Sequence, residues 1–238
     1  MRVEAVIFDW GGTLTPWHDI DLVDMWLAYA QAFEASDPRD LAESLAGEER
    51  ARWQRQQSTS GADGTGALDH LFEGVGIDVS TARHGRALAA YLAHWEPHTL
   101  ADPDAIEVLS GLRARGVRVG ILSNTMWPRW HHEAVFSRDG LLPLIDAAVY
   151  SSEIAVAKPH VDAFQAALAA VGAPASVTVF VGDRPWDDIH GAQEVGMRAI
   201  LVPHSRLGDQ AVDIDVTPDA VVSRLGEIVG IIDSWRDA

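Results

Sequence analysis

Asp9 stands at the end of an apolar run, Val6-Ile7-Phe8, and is followed by the turn residues Gly11, Gly12 and Thr13. A strand that ends in an aspartate on a glycine turn presents a carboxylate for chemistry. Three later segments place polar groups after a strand in the same way: Ser123-Asn124-Thr125, Lys158-Pro159, and Gly182-Asp183-Arg184-Pro185-Trp186-Asp187-Asp188. Each has an ordinary structural explanation when taken alone, as a turn former, a helix cap or a loop residue. Together they point to a site. The acidic run Asp183, Asp187 and Asp188 requires a counter-charge if it gathers at one strand end, and a cation is the simplest one. Lys158 is the single lysine of the chain, against 17 arginines, which makes it hard to dismiss as incidental surface.

The elements that must position these groups are short β-branched runs at Val3 to Phe8, Val117 to Leu122, Asp146 to Tyr150, Val177 to Val181 and Arg198 to Val202. Amphipathic helical stretches lie between the later runs. One is expected to start at Asp102-Pro103-Asp104, with proline at its first position and Ile106, Leu109 and Leu112 on one face, ending near Gly116. Another follows Pro159, with Phe164, Leu168 and Val171 on one face and Gly172 as terminator. This alternation predicts an α/β fold, a parallel sheet covered by helices on both sides, with ligands bound beyond the carboxyl ends of its strands. From about Pro16 to Pro97 no convincing strand appears. Leu22, Trp26, Tyr29 and Phe33 recur at helical spacing, as do Leu88, Tyr91, Leu92 and Trp95. Ser58 to Gly66 reads as a flexible loop. The expected division is a core of residues 1–15 and 98–238 with a helical cap of residues 16–97.

Composition bounds the function. The formal charge of -17 argues against non-specific nucleic-acid binding. Without cysteine, disulfides, thiolate catalysis and thiolate metal sites are excluded. No basic segment precedes an apolar stretch at the start, and no apolar run approaches the length of a membrane span. A soluble, cytoplasmic protein is expected, with no membrane partner, and either a monomer or a homodimer is compatible with this composition.

The order Asp-x-x-Gly-Thr-Leu from Asp9, Ser123-Asn124, Lys158-Pro159 and Gly182-Asp183-x-x-x-Asp187-Asp188 resembles the haloacid dehalogenase superfamily over the whole chain. The resemblance implies a Rossmann-like core with an inserted helical cap, Mg²⁺, and a small phosphorylated metabolite as substrate. It implies that Asp9 attacks phosphorus to form an acyl-phosphate that water then hydrolyses. Lys158, Ser123, Asn124 and the turn at Gly12 and Thr13 would bind the phosphoryl oxygens. Asp9, the Gly11 carbonyl, Asp183 and Asp188, or Asp187 in its place, would hold the metal.

Gly11 departs from the phosphatase pattern, in which an aspartate two residues beyond the nucleophile serves as general acid and base. Such a group is worth about 10²–10⁴ in rate. His18 and Asp19 are the nearest titratable side chains that could replace it, and both also suit a hinge and helix cap. Phosphonatases carry a small residue at this position but use a cap lysine, which is absent here. Dehalogenases lack the second aspartate but also lack the metal-binding acidic run. A phosphate-binding module that has lost catalysis is a further alternative. Trp10, Trp17, Trp127 and Trp186, with Met126 and Trp130, cluster near the motifs as packing between core and cap or as an apolar wall for a substrate. Arg52 and Arg55 are either a solvated helix face or a contact to the substrate's far end. His131 and His132, adjacent on a helix, are not expected to share a metal.

Overall fold

A computed structural model describes residues 3–202 and 216–237. Strands β1 (Ala5–Phe8), β2 (Arg118–Ser123), β3 (Ala147–Tyr150), β4 (Thr178–Gly182), β5 (Arg198–Leu201) and β6 (Ala220–Val221) pair in parallel in the order β3-β2-β1-β4-β5-β6. The two-residue β6 was not foreseen, because so short a segment carries no periodicity. Val6 and Phe8 pack on one face of the sheet with Val119, Ile121, Val179 and Val181. Ala5 and Ile7 pack on the other with Leu122 and Phe180. Burial on both faces is what made these strands read as continuous apolar runs. The order runs outward from β1 to β3 and then reverses to β4. This leaves a crevice at the carboxyl ends of β1 and β4.

Helices α1 (Leu22–Ala32), α2 (Pro38–Ser58), α3 (Leu68–Gly74) and α4 (Ala82–Trp95) fill the interval between β1 and β2. Asp21 caps α1 through Val23 N–H, and Asp37 with Pro38 opens α2. These helices have their own core, in which Trp26 stacks on Tyr91 with ring centroids 4.0 Å apart and Leu45, Leu71 and Phe72 close the packing. Met126, from the loop after β2, is buried in this same cluster.

Helices α5 (Ala105–Ala114), α6 (Arg129–Arg138), α7 (Val161–Val171), α8 (Gly191–Glu194) and α9 (Ile228–Asp237) flank the sheet. In α7 the predicted face of Phe164, Leu168 and Val171 is buried, and Gly172 ends the helix. In α5 the helix starts two residues later than expected. The helix starts at Ala105 with Asp104 at its cap, so Pro103 lies before it and Ala105, Val108, Leu109 and Leu112 form the buried stripe. Ile106 is 51% exposed. The Asp102 carboxylate accepts the Asp104 N–H at 2.8 Å in a turn that precedes the helix.

The segment read as a flexible loop is instead held to the core. Ser58 still belongs to α2, and the backbone beyond it crosses the loops after β2 and β3. Gly64 N donates to Ala155 O at 2.9 Å, Ala157 N to Gly61 O at 2.8 Å, and Leu68 N to Met126 O at 2.8 Å. Thr65 Oγ1 donates to Thr125 O at 2.7 Å. Gly61 has φ 79°, and a Cβ there would lie 2.1 Å from Ala157 O, so only glycine fits. Among the described residues no helix is long and apolar enough to cross a membrane.

Candidate active site

Asp9 follows β1, and its N–H extends the ladder to Val181 O at 2.9 Å. Its carboxylate meets Lys158, whose Nζ donates to Asp9 Oδ1 and to Asp188 Oδ1, both at 2.7 Å. Burial disfavours the ammonium, but Asp188 and Asp9 more than offset this and hold its pKa above the ordinary lysine value. Burial pushes the Asp9 carboxyl up, Lys158 pulls it down, and Asp188 pushes it further up. Asp188 Oδ2 accepts the N–H groups of Asp183 and Arg184 at 3.0 and 2.9 Å, so it braces the turn after β4.

Lys158 is held by its own backbone. Asn124 Oδ1 accepts Lys158 N–H at 2.8 Å and Asn124 Nδ2 donates to Lys158 O at 2.9 Å. Gln56 Nε2, from α2, donates to the same carbonyl at 2.8 Å. Asn124 was expected among the phosphate ligands, but its amide group is spent on both sides of the lysine peptide. Thr13 is also redirected. It is fully buried, and its hydroxyl donates to Asp183 Oδ1 at 3.5 Å. Gly12 has φ 84°, and a Cβ there would lie 2.4 Å from Asp183 Oδ2, so the turn needs glycine to let that carboxylate approach. Ser123, 2% exposed at the end of β2, lines the cavity as expected.

Four carboxylates, Asp9, Asp183, Asp187 and Asp188, are all buried here. Two cations face them, Lys158 and Arg184, the latter 3.4 Å from Asp187. One oxygen from each of Asp9, Asp183 and Asp188 falls within 4.8 Å of the others. Anionic, oxygen-only and buried, this donor set suits a hard divalent cation such as Mg²⁺. Asp187 lies outside the set, turned to Arg184 and the cavity.

The cavity in front of these groups has a volume of about 510 Å³. Its floor is Asp9, Gly11, Gly12, Ser123 and Lys158, with Arg184 and Asp187 at one side. Tryptophans form the walls: Trp10 lies 5.7 Å from Trp127, which lies 5.2 Å from Trp95 by ring centroids, and Trp17 and Trp53 complete them. The predicted Trp10, Trp17, Trp127 and Met126 therefore reach the cavity. Trp186 stacks on His190 instead, and Trp130 is 57% exposed. His18 and Asp19 line the mouth, where His18 meets His98 with ring centroids 5.1 Å apart. Arg52 pairs with Glu48 at 3.0 Å and donates to His70 O, and Arg55 also turns to Glu48. Neither lines the cavity. His131 and His132 are buried and neutral, with burial as the main cause lowering their pKa values to about 4 and about 3.

Arg184, Glu49, Trp53 and Gln57 were missed. Arg184 lay inside a quoted motif. Glu49, Trp53 and Gln57 recur every four residues along α2, a helical face whose meaning depends on what it docks against.

Residues 3–196 match the family model of the haloacid dehalogenase-like hydrolases. The chain belongs to this family. Among curated proteins it is 26% identical to the glyceraldehyde 3-phosphate phosphatase of Methanopyrus kandleri, over 97% of both chains. It is 29% identical to the ribulose-1,5-bisphosphate 5-phosphatase of Halopiger xanaduensis, over 96% of this chain and 98% of that one. A 30% match to the glyceraldehyde 3-phosphate phosphatase of Methanocaldococcus jannaschii spans 56% of this chain and 57% of that enzyme. The fold of this family member is similar to that of a HAD phosphatase from Thermococcus onnurineus, with TM-score 0.68 at 22% identity, covering 97% of this chain and 98% of that one. A 2-haloacid dehalogenase from Pseudomonas syringae follows at 0.64 and 23%, covering 98% and 100%.

Proposed function

We propose that this hydrolase is a phosphatase that releases inorganic phosphate from a small phosphorylated metabolite, with the helical insert of residues 16–97 acting as its cap. The observation that carries this is the Lys158 ammonium bonded to both Asp9 and Asp188 at the floor of a cavity. Phosphatase names among the relatives that span nearly the whole chain support the same reaction.

Asp9 attacks phosphorus as the P–O bond to the leaving group breaks, and the alkoxide departs and takes a proton from water. Water then attacks the aspartyl-phosphate, restoring the Asp9 carboxylate and releasing phosphate, so one ester and one water give one alcohol and one phosphate. Lys158 fixes the orientation of Asp9 and offsets the repulsion between carboxylate and phosphoryl group. Ser123 and the backbone at Gly12 receive the phosphoryl oxygens. Thr13 and Asp188 hold the turn carrying Asp183. Asp9, Asp183, Asp188 and the Gly11 carbonyl would hold Mg²⁺, which when bound would add positive charge beside the buried carboxylates.

Gly11 favours a second reading, a dehalogenase-like or phosphonatase-like member. The absence of a cap lysine weighs against the phosphonatase, and the four-carboxylate cluster against the dehalogenase. The deciding assay is phosphate release from p-nitrophenyl phosphate with Mg²⁺. Turnover that disappears in Asp9→Ala supports the phosphatase. No release from aryl or acyl phosphates, together with no Mg²⁺ binding by calorimetry, would leave a non-catalytic phosphate-binding module.

A further inference from the structure

Glu49 is 7% exposed and lines the same cavity as Asp9 and Lys158. Its Oε2 accepts from Trp26 Nε1 at 2.7 Å and its Oε1 from Trp53 Nε1 at 3.4 Å. Among the described residues no Lys, Arg or His side chain forms an ion pair with it. A carboxylate buried with two indole donors and no ion-paired cation is costly, and burial accordingly pushes its pKa up, against the pull of the two indoles and of the Arg50 charge. A core position would be served at lower cost by glutamine or methionine. What makes the acid useful is the space beside it, walled by Trp53, Trp95 and Trp127. Aromatic faces around a desolvated pocket attract a cation, and more strongly when water is excluded.

We infer that the cavity selects a phosphate ester whose leaving group carries an organic ammonium, seated against Glu49 and the tryptophan wall. This rests on the phosphatase reading and specifies its substrate class. Glu49 would supply the missing counter-charge, and the ring faces would accommodate N-alkyl groups. The choice also fits Gly11. An ammonium two carbons from the ester oxygen stabilises the departing alkoxide through its field, which eases departure where no general acid stands.

The test compares phosphorylcholine with 3,3-dimethylbutyl phosphate, its neutral isostere, using p-nitrophenyl phosphate as reference. The expected result is a kcat/KM at least tenfold higher for phosphorylcholine, with that ratio falling to within about threefold of unity in Glu49→Gln. Equal use of the two esters, or a ratio that Glu49→Gln leaves intact, overturns the inference. A measurement on the unmodified protein guards against a misfolded variant. Choline should quench tryptophan fluorescence saturably, and 3,3-dimethylbutanol should not; equal responses overturn the cation site. If p-nitrophenyl phosphate is not hydrolysed at all, the phosphatase reading fails, and the fluorescence titration still decides whether an ammonium binds.

Discussion

Gly11→Asp isolates the one group that the catalytic floor lacks. A Cβ at Gly11 meets no heavy atom within 4 Å, so an aspartate enters open cavity space two residues from Asp9. The new carboxyl feels Asp9: two unit charges about 6 Å apart at an effective dielectric of about 20 repel by about 3 kcal/mol. That corresponds to a rise of about two pKa units, from about 4 towards 6, before Lys158 and Arg184 subtract part of it. A carboxyl poised there is protonated often enough near pH 6 to serve as an acid. General acids lower the barrier to alkoxide departure by about 3–5 kcal/mol, or 10²–10⁴ in rate. We expect kcat for an alkyl phosphate to rise by about 10–100-fold, below that range or at its lower end, because the carboxyl lacks supporting contacts. For p-nitrophenyl phosphate, whose leaving group departs unprotonated, kcat should stay within about threefold. The assay is initial-rate phosphate release with saturating Mg²⁺, with Gly11→Asn as the isosteric control. If alkyl turnover is unchanged, another group such as His18 already supplies the proton, and the view that Gly11 limits departure is refuted. Equal rises for both esters refute it as well.

Two further outcomes follow from named contacts. Asn124→Ala removes its two bonds to the Lys158 backbone, each worth about 0.5–1.5 kcal/mol, and leaves only Gln56 on the carbonyl. It should lower kcat by about tenfold or more, with little change in KM, and Asn124→Asp, which keeps the acceptor for Lys158 N–H, should recover part of it; a rise in KM alone would restore the phosphate-ligand role. Burial lowers the folded pKa of His132 to about 3, against 6.5 for a free imidazole side chain. The unfolded chain therefore binds more protons between those values, and this group's contribution to stability is lost as pH falls from 6.5 towards 3. The drop in urea-unfolding free energy from pH 7 to 4.5 should be smaller in His132→Phe by about 2–3 kcal/mol, and equal drops would refute the assignment.

The legible half of the molecule was the half whose patterns are local. Strands β1 to β5 were readable because burial on both faces forces continuous apolar runs, and Asp9, Ser123, Lys158 and Asp183 were readable because each follows such a run. The structure brings Asp188, rather than Asp187, to Asp9 and Asp183, a choice that spacing left open. What stayed hidden depended on tertiary placement. Asn124 and Thr13 were placed on the substrate, yet their partners are Lys158 and Asp183, 34 and 170 residues away. Glu49 and Trp53 looked like ordinary helix residues until α2 was laid over the cavity. The Ser58–Gly66 stretch carried every compositional sign of a free linker. Its backbone groups find partners on the loops after β2 and β3, and composition carries no information about that.

The solitary lysine has a use in the laboratory as well as at the floor of the cavity. Its ammonium is 2% exposed and bonded to two carboxylates, and no other side chain in the sequence bears a primary amine. An acylating reagent added to the native protein meets no accessible lysine, whereas each unfolded molecule gains one side-chain label. The mass increment on the peptide containing residue 158 therefore counts molecules in which the charge cluster has come apart, with no introduced probe.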